Sequence, residues 1–216
     1  EIRQQYALAE PPAHGLVRQQ PWTLQHTRED SDGITLHFGL SDQADRQSLP
    51  AVEPTLTVRL DDGLSLALNN HNHGNTPVWI SQALHSYFAV SDSRQVTVHG
   101  LETCPYVDAL DDWQSHRQES PLTFVAETDR LYLQLPDTLH IDDPAWQRRL
   151  TLSASGSRSA VVWNLWIDKS RRLTQFADDA WQRMLCIETA RVLDNALLLG
   201  PDEQHSMEVR FVTTAL

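Results

Sequence analysis

Two polar residues sit inside otherwise apolar stretches of this chain, His85 in ALHSYFAVSD (83–92) and Glu188 in MLCIETARV (184–192). Burying a carboxylate costs several kcal/mol unless it is paired or hydrogen-bonded. Glu188 must therefore stand at a strand end, have a partner, or line a pocket. In a pocket it is a candidate general base, because partial desolvation raises a carboxyl pKa toward working pH. Strand alternation groups His85 with Ala83, Tyr87 and Ala89 on one face. That position could serve a pocket-lining histidine, but taken alone it favours a core histidine satisfied by a backbone carbonyl. ETDRLYLQL (127–135) places Glu127, Asp129 and Arg130 ahead of a strand and reads as a solvated loop with local ion pairs. PPAHGLVRQQPW (11–22) reads as a loop in which Gly15 permits an unusual backbone and Arg18 can fork onto a phosphate or carboxylate. His71 and His73 of HNHGN would share a strand face, but no third ligand stands at useful spacing, so no metal site is expected. There is no GxSxG elbow, phosphate-cradling glycine loop or dinucleotide fingerprint.

The elements that must position these residues are strands. Short alternating runs recur between turn signals, among them ITLHFGL, TLTVRL, LSLALNN, VWISQALHSYFAV, RLYLQL, RLTLSAS, AVVWNLWI, MLCIETARV and MEVRFVTT. Many such runs separated by Asp-Gly, Asn-containing and Pro breaks predict an all-β antiparallel sandwich or barrel. Asp62-Gly63 supplies a hairpin turn. ALHSYFAVSD is expected to be one buried strand, and FADDAWQRM (176–184) is the best candidate for a short helix. Without repeats, low-complexity tracts or linkers, residues 1–216 read as a single domain.

Composition narrows the function. The net charge is -12, with 29 acidic against 17 basic side chains, which argues against a nucleic-acid surface. A small phosphorylated ligand needs only one or two placed arginines and stays open. Lys169 is the only lysine, which looks compositional and marks no site. Cys104 and Cys186 lie far apart without a CxxC neighbour, so neither a disulfide framework nor a cysteine zinc site is expected. No apolar run approaches the ~18–20 residues that span a bilayer. A soluble, cytoplasmic monomer is the default expectation. The first residue is Glu1 rather than methionine, which suggests a processed or partial chain.

In this order, the stretches PPAHGLVRQQPW, ALHSYFAVSD, VHGLETCPYVDAL, ETDRLY, VVWNLWIDKSRRLTQFADD and MLCIETA resemble the hexose-6-phosphate mutarotases, a branch of the aldose 1-epimerase superfamily. The resemblance runs from Pro11 to Ala190. It implies an antiparallel β-sandwich of the galactose-mutarotase type, apparently without the family's N-terminal strands and a further substrate-binding arginine. It also implies an isomerase that interconverts the α and β anomers of a hexose 6-phosphate. By the same resemblance His85 is the general acid, Glu188 the general base, Asp129 a ligand of sugar hydroxyls, and Arg18 a substrate-binding residue that reaches the phosphate. The small Ala83 and Ala89 would leave room for a sugar ring beside His85, with Tyr87 as a wall. No cofactor or metal is needed for this chemistry, and the expected partner is a small sugar phosphate rather than nucleic acid or membrane. The rival expectations are a non-catalytic sugar-binding protein of the same fold and a mutarotase for an unphosphorylated aldose.

Overall fold

The computed structural model describes residues 14–45 and 51–216, so Pro11, Pro12 and Ala13 of the first motif lie outside the described residues. Strands dominate, as the alternating runs predict. One antiparallel sheet has eight strands in the order β1 (Trp22–Glu29), β2 (Ile34–Leu40), β3 (Val52–Leu60), β4 (Leu64–Asn72), β17 (Gln204–Ala215), β13 (Arg148–Ser155), β12 (Thr138–Asp143) and β8 (Thr97–His99). The second is ordered β10 (Gln114–Arg117), β9 (Pro105–Asp108), β11 (Thr128–Leu133), β14 (Ser159–Asn164) and β15 (Met184–Arg191). Its edge is made by β6 (Gln82–Leu84) and β7 (Tyr87–Ala89), both paired to β15. A separate pair joins β5 (Val78–Ile80) to β16 (Leu197–Leu199). The expected turn is present: Leu60 pairs with Leu64, and the Gly63 N–H donates to Asp61 Oδ1 at 3.0 Å.

The two large sheets enclose a core in which Val98, Tyr132, Ile141, Val162, Leu185 and Ile187 are fully or almost fully buried. Alternation along the second sheet then dictates which side chains face the other way. On β15, Leu185 and Ile187 enter this core, while Met184 and Cys186 belong to a separate apolar cluster with Leu165 and Trp181. A strand covered on both faces reads as a continuous apolar run, which is why MLCI shows no alternation.

That outer cover is the chain between β14 and β15, and it corrects two sequence expectations. The run AVVWNLWI is not one strand: β14 stops at Asn164 and a short helix α1 (Trp166–Arg172) begins. Asn164 is fully buried and its Oδ1 accepts from the Trp166 N–H at 2.9 Å, while its amide donates to the Trp181 and Met184 carbonyls at 2.9 and 2.8 Å. One side chain thus starts the helix and closes its return. FADDAWQRM contains only a single 3-10 turn over Ala180–Gln182, because Trp181 must turn inward to join the outer cluster.

ALHSYFAVSD is also not one strand. β6 ends at Leu84 and β7 starts at Tyr87, leaving His85 and Ser86 out of the ladder opposite the middle of an unbroken β15.

Candidate active site

The break at His85 lies beside Glu188. Residues 84 and 189 pair on one side of it, 87 and 186 on the other, so Ile187 and Glu188 lack a partner on this edge while they stay paired to β14. Glu188 takes the outer face, opposite to buried Ile187, and His85 turns to the same face, with its Nε2 3.2 Å from Glu188 Oε1. The alternatives left open for Glu188 resolve accordingly: it is in mid-strand, 8% exposed, and it has a partner.

Register places the remaining groups. Asp129 on β11 pairs with Trp163 on β14, Trp163 with Cys186 on β15, and Cys186 with Tyr87 on β7, which makes one row across the outer face. The next row carries Leu131, Val161 and Glu188. Tyr87 stacks on His85 with centroids 4.7 Å apart and planes 10° off parallel, and the Trp163 ring stands nearly perpendicular to both, its centroid 6.5 Å from each. Ala83 and Ala89 are exposed on the same side, with Tyr87 between Ala89 and the histidine. Asp129 and Arg130 belong to β11 and not to a solvated loop, because Thr128 already enters the ladder opposite Asn164.

Arg18 approaches from the segment before β1. It reaches the Tyr87 hydroxyl, and its charge is felt at His85, His14 and Glu188. All four residues singled out from the sequence therefore converge on one face. The structure adds His14, whose ring lies 5.5 Å from that of His85. His14 adopts a left-handed φ of 64° ahead of Gly15 at 82°, a bend that carries the ring back over the sheet. The His-Gly pair was visible in the sequence, but which way its imidazole turned was not. Trp163 and Lys169 were missed, since only register and the start of α1 bring them here.

The electrostatics follow from burial. Desolvation pushes Glu188 up to about 7, helped by the negative charge of Asp129 and opposed by Arg18. Desolvation, with the Arg18 and His14 charges, pushes His85 down to about 4. His85 Nδ1 is buried without a hydrogen-bond partner among the described residues, so a second ring N–H would go unsatisfied there. Burial also raises Asp129, against the attraction of Lys169. A cavity of about 420 Å³ opens at the break, lined by His85, Ser86 and Tyr87 and by leucines and phenylalanines of both large sheets. Its walls are mostly apolar, and the charged groups gather instead on the outer face of the second sheet.

The sequence profile of the aldose 1-epimerases matches residues 4–212. The chain belongs to the aldose 1-epimerase family. Among relatives of this epimerase-family chain, an Escherichia coli protein is 31% identical over 180 residues, covering 83% of this chain and 60% of its own length. A Cenchrus ciliaris protein is 33% identical over 145 residues, covering 67% of this chain and 44% of its own. Both carry the provisional name glucose-6-phosphate 1-epimerase. A crystal structure of a Salmonella typhimurium protein, provisionally called a mutarotase, superposes with a TM-score of 0.87 at 25% identity over 97% of this chain and 70% of that one. A galactose mutarotase-like protein of Clostridium acetobutylicum, 15% identical with a TM-score of 0.72, shares the fold. The all-β expectation and the family resemblance are both met. This family member spans about 60% of the length of the Escherichia coli relative.

Proposed function

We propose that this chain carries the acid and base of a C1 epimerase acting on an aldohexose, with a hexose 6-phosphate as substrate. The observation that carries the reading is the 3.2 Å approach of His85 Nε2 to Glu188 Oε1 on a face shared with Asp129 and Arg18. Opening a cyclic hemiacetal takes a proton from the C1 hydroxyl and gives one to the ring oxygen. Both oxygens are bonded to the same carbon, so acid and base must stand side by side. In glycosidases the two groups stand apart, at ~5–9.5 Å, to act on opposite sides of the bond.

One proton shared by the pair suffices. In the free protein, between about pH 4 and pH 7, burial leaves that proton on Glu188, with His85 neutral. A bound hemiacetal reverses the preference: its C1 hydroxyl donates toward Glu188 and favours the carboxylate, while the ring oxygen accepts from His85 and favours the imidazolium. Glu188 takes the hydroxyl proton, His85 protonates the ring oxygen, and the free aldehyde forms. Rotation about C1–C2 and reclosure with the roles exchanged deliver the other anomer. Each positioned group contributes roughly 10²–10⁴ in rate. Asp129 accepts from sugar hydroxyls. Arg18 supports the choice of a phosphorylated substrate, as do the names of the two relatives.

The test is anomer exchange followed by NMR, with glucose, galactose and their 6-phosphates compared. We expect exchange of the 6-phosphates to be lost in His85→Ala, and their advantage over the free sugars to vanish in Arg18→Ala. Wild-type exchange no faster than buffer despite saturable binding would make the chain a sugar-binding protein. Equal rates on free and phosphorylated sugars would remove the phosphate.

A further inference from the structure

Lys169 is the chain's only lysine, and its ammonium ends among groups of the site. It projects from α1 to 2.9 Å from Glu127 Oε1 and 3.6 Å from Asp129 Oδ2, and lies 5.6 Å from the centre of the Trp163 ring. All three side chains of this ion-pair cluster are half-buried. Asp129 needs such a neighbour. It faces Glu127 from its own segment, Asp108 from β9 and Glu188 from β15, all acidic, while His14 from the segment before β1 also senses its charge. A carboxyl so placed gains by taking up a proton. Protonated, it turns one oxygen into a donor and loses accepting capacity for sugar hydroxyls.

We propose that Lys169 is a positioning residue: held between Glu127 and Asp129 and against Trp163, it keeps Asp129 ionised and fixed in the row that leads to the His85–Glu188 pair. Lysine fits this place because a compact ammonium can divide its donors between the two carboxylates. The helix that carries it is set by Asn164, so the start of α1 fixes where the charge arrives. There is a second consequence at the base. The charge on Asp129 is one of the causes that raise Glu188, so Lys169 also acts on Glu188 through Asp129.

The inference rests on the epimerase reading for the identity of the ligand, and its first test needs no ligand. In a carboxyl-labelled ¹³C NMR titration of the whole chain, Lys169→Met should raise the apparent pKa of Asp129 by about one unit or more. Glu127→Gln should lower it, and Lys169→Arg should leave it near the wild-type value. Opposite shifts from two neighbours are not expected of a lysine that merely props the helix. An Asp129 titration unmoved by Lys169→Met, or moved the same way by Glu127→Gln, overturns the proposal. With glucose 6-phosphate as probe, Lys169→Met should weaken binding several-fold at pH 5 and recover toward pH 9, as Asp129 takes up a proton at the lower pH and loses it again at the higher. A loss equal at every pH would overturn the proposal. If the wild-type chain binds no hexose at all, the substrate reading fails and the carboxyl titration alone decides the role of Lys169.

Discussion

Replacing Glu188 with glutamine should stabilise the fold while removing its chemistry, and the size of the gain is set by pH. Burial holds the Glu188 carboxyl at about 7 against an ordinary 4.5. The unfolded chain therefore ionises first. Wild-type stability falls as pH rises from about 4.5, and levels off once the folded carboxyl has also ionised, above about 7. That difference corresponds to at most ~3 kcal/mol. Glutamine keeps the shape and a polar tip but does not titrate, and loses the attraction of Arg18, so a working figure is ~1–2 kcal/mol at pH 8. Near pH 4.5 the two proteins should be almost equally stable. The assay is urea unfolding of wild type and Glu188→Gln at pH 5 and pH 8, followed by tryptophan fluorescence. His85 titrates in both proteins, so its opposite trend, a gain of stability as pH rises from about 4 toward 6.5, largely cancels in the comparison. A glutamine variant less stable than wild type at pH 8, or an advantage that does not grow with pH, would refute the claim that Glu188 is a strained, desolvated base.

The exchange rate should follow a bell against pH, falling below about 4 as the pair gains a second proton and above about 7 as it loses its only one. A rate flat from pH 5 to 9 would show that the shared proton is not the working species. Asn164→Ala strands two buried carbonyls and the first N–H of α1, and should cost ~2–4 kcal/mol in urea unfolding. Because α1 carries Lys169, the same variant should weaken hexose 6-phosphate binding before it unfolds, which a titration at low denaturant would detect.

The sequence made the sheets legible because alternation is a local signal. The runs that became β2, β4, β13 and β17 needed only their own side chains to be read. The breaks were harder, because each is imposed by something distant. ALHSYFAVSD has good strand formers throughout, and nothing in it says that the ladder lapses at His85 and Ser86. AVVWNLWI has β-branched and aromatic residues up to its end, yet Asn164 stops it by bonding to carbonyls 17 and 20 residues away. The site shows the same division. His85 and Glu188 announced themselves as polar residues in apolar surroundings, whereas Lys169, a charged residue in a charged stretch, gave no local sign of its place.

Register brings a histidine and a glutamate from distant parts of the chain together, since the pairs on either side of the lapse, 84 with 189 and 87 with 186, set residue 85 opposite residue 188. Had β6 continued into β7, His85 would have been held as a regular cross-strand neighbour at a spacing set by the ladder, ~4.5–5.5 Å between Cβ atoms. Released from it, the imidazole can turn flat against Tyr87 and bring Nε2 to 3.2 Å from the carboxylate. Glu188 itself stays rigid, because β15 is paired on both sides around it and buried along nearly its whole length. The fold thus sets a fixed base beside an acid whose backbone lies outside the ladder. The proton exchange proposed above asks for that asymmetry, since the acid must move from the glutamate toward the ring oxygen and back in each turnover. A Tyr87→Ala variant removes the surface on which His85 is stacked, together with the hydroxyl that Arg18 reaches. It should lower exchange at saturating sugar by roughly tenfold and move the acid limit up from about 4, because His85 loses part of the burial that lowers it. If exchange in that variant matches wild type, the stacking does not position the acid.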